Sequence, residues 1–145
     1  GSSEEAEEYL SRFRRTRESE GANGDWVEFG IGRIFVEGGM ITEGIEILFK
    51  AVEIFPENAW VRYVTGWSLI EHELDVVGGM RHIEEALKID PDNAAYLEAK
   101  GLGLFKLDRM EEAKEVLEKA WELRYEYNHE HYLLLQEVNQ ALAVQ

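Results

Sequence analysis

The chain has 145 residues, enough for one domain with a substantial core, and its 45% hydrophobic and 31% charged content belongs to a folded protein rather than a disordered one. Thirty acidic against 15 basic side chains give a net charge of −15. That field repels phosphate backbones and anionic lipid, which argues against nucleic-acid binding and membrane binding and leaves solubility, or a partner with a basic flank, as its use. With no cysteine, disulfides, thiolate zinc sites and a Cys nucleophile are excluded, and reducing and oxidising compartments are equally allowed. The apolar runs are too short to cross a bilayer, and the Ser- and Glu-rich start does not read as a signal peptide, so a cytoplasmic setting is expected.

In chain order, Ser2 to Arg17 reads as a helix with a narrow apolar stripe of Ala6, Tyr9, Leu10 and Phe13. Arg12, Arg14, Arg15 and Arg17 at its end suit the helix dipole and pairing with the acidic body. The Gly- and Asn-containing stretch from Glu20 to Asp25 breaks the chain, and helices then come in pairs. The first runs from Asp25 to Glu37 and is stopped by Gly38-Gly39, and the second runs from Thr42 to Phe55 before Pro56. Asn58 caps a third from Ala59 to Glu73, and Asp75 starts a fourth that reaches Ile89 before Pro91. Asn93 caps a fifth from Ala94 to Lys106. Asp108 with Glu111 has capping-box spacing for a sixth, from Arg109 to about Tyr125, and Asn128 caps a last helix to Ala143. No window alternates with period two, so no sheet is expected.

The stretch from Glu53 to Gly66, EIFPENAWVRYVTG, recurs from Lys88 to Gly101 as KIDPDNAAYLEAKG. The first helices carry a small residue at Gly32, Gly66 and Gly101. The second helices carry small pairs at Gly44 and Ala51, Gly79 and Ala86, Ala113 and Ala120, with Leu48, Ile83 and Leu117 between them. Small side chains at fixed places let crossing helices approach, each admitting a large one from its partner. On these residues Asp25 to Tyr127 resembles three tetratricopeptide repeats, the helix–turn–helix unit of about 34 residues. The resemblance implies an all-α, right-handed superhelix: residues 1–24 as N-terminal helix and linker, repeats over 25–58, 59–93 and 94–127, and a capping helix over 128–145. Three departures stand out. Glu28 and Arg62 replace the usual large apolar residue early in the first helix, repeat two has one extra residue between Leu69 and Asp75, and repeat three ends in Tyr125 instead of Pro. Gly30 and Gly103 lie inside first helices and are not explained by the pattern. Accidental tolerance, or room for something to lie against the helix, remain open for them.

No catalytic signature is present, and neither a metal site nor a cofactor is expected. His72, His82, His129 and His131 lack metal-ligand spacing, and His129 and His131 read as surface or cap residues. Gly101 to Gly103 does not follow a strand and is no phosphate loop. The resemblance places the first helices along a concave groove, with Trp26, Phe29, Arg33, Val36 and Glu37 from repeat one. Repeat two contributes Trp60, Tyr63, Trp67, Ile70 and Glu71, and repeat three Ala95, Glu98, Leu102, Phe105 and Lys106. Aromatic side chains there are either interface anchors or buried by the chain itself. Positions where related domains grip a chaperone's C-terminal carboxylate hold Phe29, Arg33, Val64, Ala95 and Ala99, so that clamp is absent. The expectation is a non-enzymatic adaptor or chaperone-like module. It binds an apolar peptide or helix of a partner through Trp26, Phe29, Arg33, Trp60, Tyr63, Val64, Trp67, Ile70, Leu102 and Phe105. By architecture it is similar to the small repeat chaperones of bacterial type III secretion. The alternatives are a scaffold unit forming a homodimer through the groove or the stripe Tyr132, Leu135, Val138 and Leu142, and one piece of a larger repeat protein.

Overall fold

In the computed structural model, residues 8, 11, 12, 15, 24–124 and 128–144 are described, the side chains of 24–28 excepted. The helix expected over 2–17, with its apolar stripe, lies largely outside them. Among the described residues there is no strand, and the chain from residue 24 onward forms seven helices. Two compact units divide it, Gly1–Pro56 and Glu57–Gln145.

The first unit holds a helical hairpin of α1 (Gly24–Glu37) and α2 (Ile41–Ile54). The helices touch where the small residues fall. A methyl group added at Gly32 would lie 2.8 Å from Leu48 Cγ, and one at Gly44 would lie 2.8 Å from the Val36 backbone nitrogen. Ile31, Phe35 and Ile47 cluster beside this crossing with Met40 against them, and Leu48 and Ala51 have no exposed surface.

The second unit has α3 (Ala59–Glu71), α4 (Val76–Ile89), α5 (Ala94–Lys106), α6 (Met110–Leu123) and α7 (His129–Ala143). Hairpin packing joins α3 to α4 and α5 to α6. In addition α3 packs on α5 and α5 on α7, while α4 and α6 pack on the helix that follows each of them. The result is two layers, α3–α5–α7 and α4–α6, around a core that includes Ile70, Ile83, Ala86, Leu104, Leu117, Ala120 and Val138. Gly66 and Gly79 are each other's neighbours, an added methyl on either meeting the other's carbonyl oxygen at 2.7 Å. Gly101 gives way to Leu117 in the same manner. Gly103 belongs with them, because an added methyl would overlap Met80 Sδ and lie 3.3 Å from Ile70 Cδ1. Its role is close packing. Gly30, in the first unit, has nothing within 4 Å of such a methyl among the described residues.

All three hairpins use one turn. The N–H of Met40, Leu74 and Arg109 donates to the carbonyl of Phe35, Leu69 and Leu104, five residues back, at 2.9, 3.1 and 2.9 Å. The residue before each donor is left-handed: Gly39 at φ 87°, Glu73 at 52° and Asp108 at 60°. This is the Schellman arrangement that satisfies the last carbonyls of a helix. It corrects one expectation. Asp108 ends α5 and does not cap α6, whose N-cap is Arg109 with no side-chain cap bond. Left-handed backbone is cheap only for glycine, so Asp108→Gly should raise the stability of the second unit by roughly 0.5–1 kcal/mol, read from a urea unfolding curve. The extra residue of repeat two also finds its reason here. It falls after the shared turn and supplies Asp75, whose carboxylate accepts from Gly78 N at 2.8 Å. Neither Met40 nor Arg109 gives α2 or α6 such a cap. Asn58, Asn93 and Asn128 cap as expected, accepting from Val61, Tyr96 and His131 backbone nitrogens. Arg62, the polar departure early in α3, reaches across to α4 and donates to His82 Nδ1 at 3.2 Å. Burial, then the Arg62 charge, hold His82 below its ordinary pKa.

Candidate functional site

Three large rings lie in one row on α3. Trp60, Tyr63 and Trp67 follow each other at three- and four-residue spacing, which keeps them on one side of the helix. Ring centroids are 5.1 Å apart for Trp60 and Tyr63 and 6.3 Å for Tyr63 and Trp67, both pairs tilted. Trp60 is 42% exposed. Tyr63 and Trp67 are half-buried, resting against the core of the second unit, as are Leu102 and Phe105 on α5. Tyr96 on α5 continues the aromatic contact, its ring 5.0 Å from that of Tyr63.

Behind this row sits a polar node. Glu98 on α5 and Arg124 at the end of α6 form an ion pair with side chains only 13% and 19% exposed. Arg124 Nε donates to His131 Nδ1 at 2.9 Å, and His131 Nε2 lies 2.9 Å from the Leu117 carbonyl. Because a guanidinium has only donors and a carbonyl only accepts, His131 is neutral with its hydrogen on Nε2. Burial raises the Tyr63 pKa, Tyr96 adds to the rise, and Arg124 opposes it. Burial also raises Tyr96 and lowers Arg124, the latter opposed by Tyr63. Both shifts keep the phenols protonated at neutral pH.

The expected site residues separate into distinct environments. Trp60, Tyr63, Val64, Trp67, Leu102 and Phe105 belong to the second unit and keep accessible surface. Ile70 does not: it has no exposed surface and packs against Gly79 and Gly103, so it is a core residue. Glu98 is tied to Arg124 and does not face a partner as a free carboxylate. In the first unit Phe29 is buried at 6% exposure. Arg33 lies 6.0 Å from its ring and pairs with Glu37 at 3.0 Å. The Trp26 side chain lies outside the described residues. His131, read as a surface or cap residue, is fully buried, because α7 docks by the face that carries it. The same docking uses the C-terminal stripe: Val138 is core, and Leu135 and Leu142 pack against it. Of that stripe Val138 is fully buried, Leu135 and Leu142 keep part of their surface, and Tyr132 is 41% exposed.

Paired helices with small-to-large contacts, joined by one repeated turn, define a helical-hairpin repeat protein. Residues 94–127 match the sequence profile described as tetratricopeptide repeat, and the chain has the all-α fold of that family. No curated protein matches in sequence. Among solved structures the first tetratricopeptide domain of Spaghetti (RPAP3), bound to the HSP90 peptide SRMEEVD, is similar at TM-score 0.74 and 22% identity, covering 82% of this chain and 93% of that one. The Sgt2 tetratricopeptide domain from Aspergillus fumigatus gives 0.75 at 16% identity, covering 84% and 81%. MamA from residue 41 onward, from Desulfovibrio magneticus, gives 0.79 at 17% identity, covering 95% and 76%. At these identities the likeness is one of fold.

Proposed function

We propose that this protein is a non-catalytic interaction module that holds an apolar segment of a partner protein against the aromatic row of α3, with Leu102 and Phe105 of α5 extending the surface. The observation that carries this reading is Trp60, a large ring 42% exposed and tilted against Tyr63, where the fold itself needs no aromatic. The corresponding place in the next repeat is Ala95. Exposed aromatic clusters bring large apolar area at little rotamer cost, which is how interface anchors work. Net charge of −15 favours a basic flank on the partner. An acidic-tailed peptide like the one bound by Spaghetti is disfavoured. Val64, Ala95 and Ala99 offer no cation, and Arg124 is already paired with Glu98.

Binding of labelled peptides by anisotropy tests the proposal. An apolar peptide flanked by Lys and Arg is expected to bind, more weakly as salt rises, and SRMEEVD to show no comparable affinity. Trp60→Ala should cut affinity by about tenfold or more while moving unfolding stability by less than about 1 kcal/mol. Unchanged affinity in the variant defeats the proposal, and tight SRMEEVD binding replaces it with carboxylate capture.

A further inference from the structure

We propose that His131 is an acid-sensitive latch that holds the C-terminal helix α7 on the repeat stack when neutral and releases it when protonated. The geometry is specific. His131 sits in the first turn of α7 with no exposed surface, its backbone nitrogen bound by the Asn128 cap at 2.8 Å. Both ring nitrogens are committed to other elements. Nε2–H donates to the Leu117 carbonyl within α6, and Nδ1 accepts from Arg124 at the end of α6. Trp121 of α6 closes a third side, its ring edge-on at 5.3 Å and 81°.

Among the described residues, the charged groups that face the imidazole are Arg124 from α6 and Glu98 from α5, whose Oε2 lies 3.4 Å from Nδ1. Tyr63 of α3 interacts with the Arg124 charge. On α7 itself His129 and Glu130 are exposed. A proton arriving on Nδ1 replaces the acceptor by a donor aimed at a guanidinium donor. Among the described residues Glu98 is the acceptor near enough to take it, and the oxygen at 3.4 Å is the same Oε2 that pairs with Arg124. Two cations then crowd one largely buried carboxylate, and lifting α7 away relieves their repulsion. That release is available because only His131 and Val138 are fully buried on α7 among the described residues, while Leu134, Leu135 and Leu142 rest half-buried against the core.

The sign follows from linkage. Burial, then Arg124, depress the folded-state pKa below 6.5, with the Leu117 hydrogen bond opposing. The released helix binds a proton in the ordinary histidine range. Docking is therefore at full strength above that range and is lost as pH falls through it towards the folded value. Amide hydrogen exchange on the full chain, corrected for intrinsic rates, tests this between pH 7.5 and 5. The opening of α7 around Leu134 to Leu142 should grow by up to about tenfold per pH unit, with α5 amides lagging behind. His131→Gln, which keeps a donor and an acceptor but cannot titrate in this range, should abolish that dependence. Independently, the wild-type imidazole should titrate below the ordinary histidine value by NMR. Titration at or above that value, α7 opening only together with α5, or the same pH dependence in His131→Gln would each overturn the latch.

Discussion

Replacing Arg124 with Met should lower the stability of the second unit by about 3–5 kcal/mol, one of the largest single-residue losses available outside the apolar core. The reason is the partner left behind. Glu98 is 13% exposed, and without the guanidinium its carboxylate has neither a counter-charge nor enough water. The same change strips His131 Nδ1 of its donor. Glu98→Leu alone should be costly for the mirror reason, while the double variant should recover most of the loss, since removing both charges leaves none uncompensated. Urea unfolding of the four proteins, followed by Trp fluorescence, measures this as a double-mutant cycle. An Arg124→Met loss below about 1 kcal/mol would mean that the pair is solvated and contributes as a surface ion pair does. The exposed pair Arg109 and Glu112, one turn apart on the rim of α6, is the internal contrast and should contribute little.

The second large effect concerns glycines, and its sign changes with position. Gly79→Ala should cost about 2–3 kcal/mol even though alanine gains about 1 kcal/mol in helix propensity. Its methyl would lie 2.7 Å from the Gly66 carbonyl oxygen and 2.7 Å from Ile70 Cγ1. A backbone carbonyl cannot rotate away, so α3 and α4 must separate along their crossing. Gly30→Ala, in contrast, should stabilise the first unit by about 1 kcal/mol, because among the described residues the added methyl meets nothing within 4 Å and the propensity gain remains. Thermal melts of the two variants check both signs. Loss of stability in Gly30→Ala would mean that another part of the chain, or a partner, occupies that space.

What was legible in the sequence was whatever depends on near neighbours along the chain. Asn58, Asn93 and Asn128 cap three residues ahead, and each bond forms as the spacing implied. The small residues Gly32, Gly66 and Gly101 meet Leu48, Ile83 and Leu117, because a repeat unit brings fixed positions of two consecutive helices together. Asp108 misled for a local reason too. Acidic residues serve equally at an N-cap and in a left-handed turn, and the bond from Arg109 N to the Leu104 carbonyl selects the second.

The candidate site was only half legible. On α3 the expected groove residues Trp60, Tyr63, Val64, Trp67 and Ile70 share one stripe, and periodicity cannot say which of them the core covers. Tertiary packing sends Ile70 into the core beside Gly103 and leaves Trp60 in solvent. Tyr96 joins the row only because α5 lays its ring 5.0 Å from that of Tyr63.

By itself, then, the sequence determined the seven helices from residue 24 onward, the caps at Asn58, Asp75, Asn93 and Asn128, the helix pairing through small-to-large contacts and the acidic field around them. All of these follow from intervals of a few residues, or of one repeat, and from net charge. The tertiary structure alone decided which rings stay exposed and that Glu98, Arg124 and His131 meet. These three come from α5, the end of α6 and α7, at no interval the repeat prescribes, and each looks like a solvated side chain until the layer α3–α5–α7 closes over it.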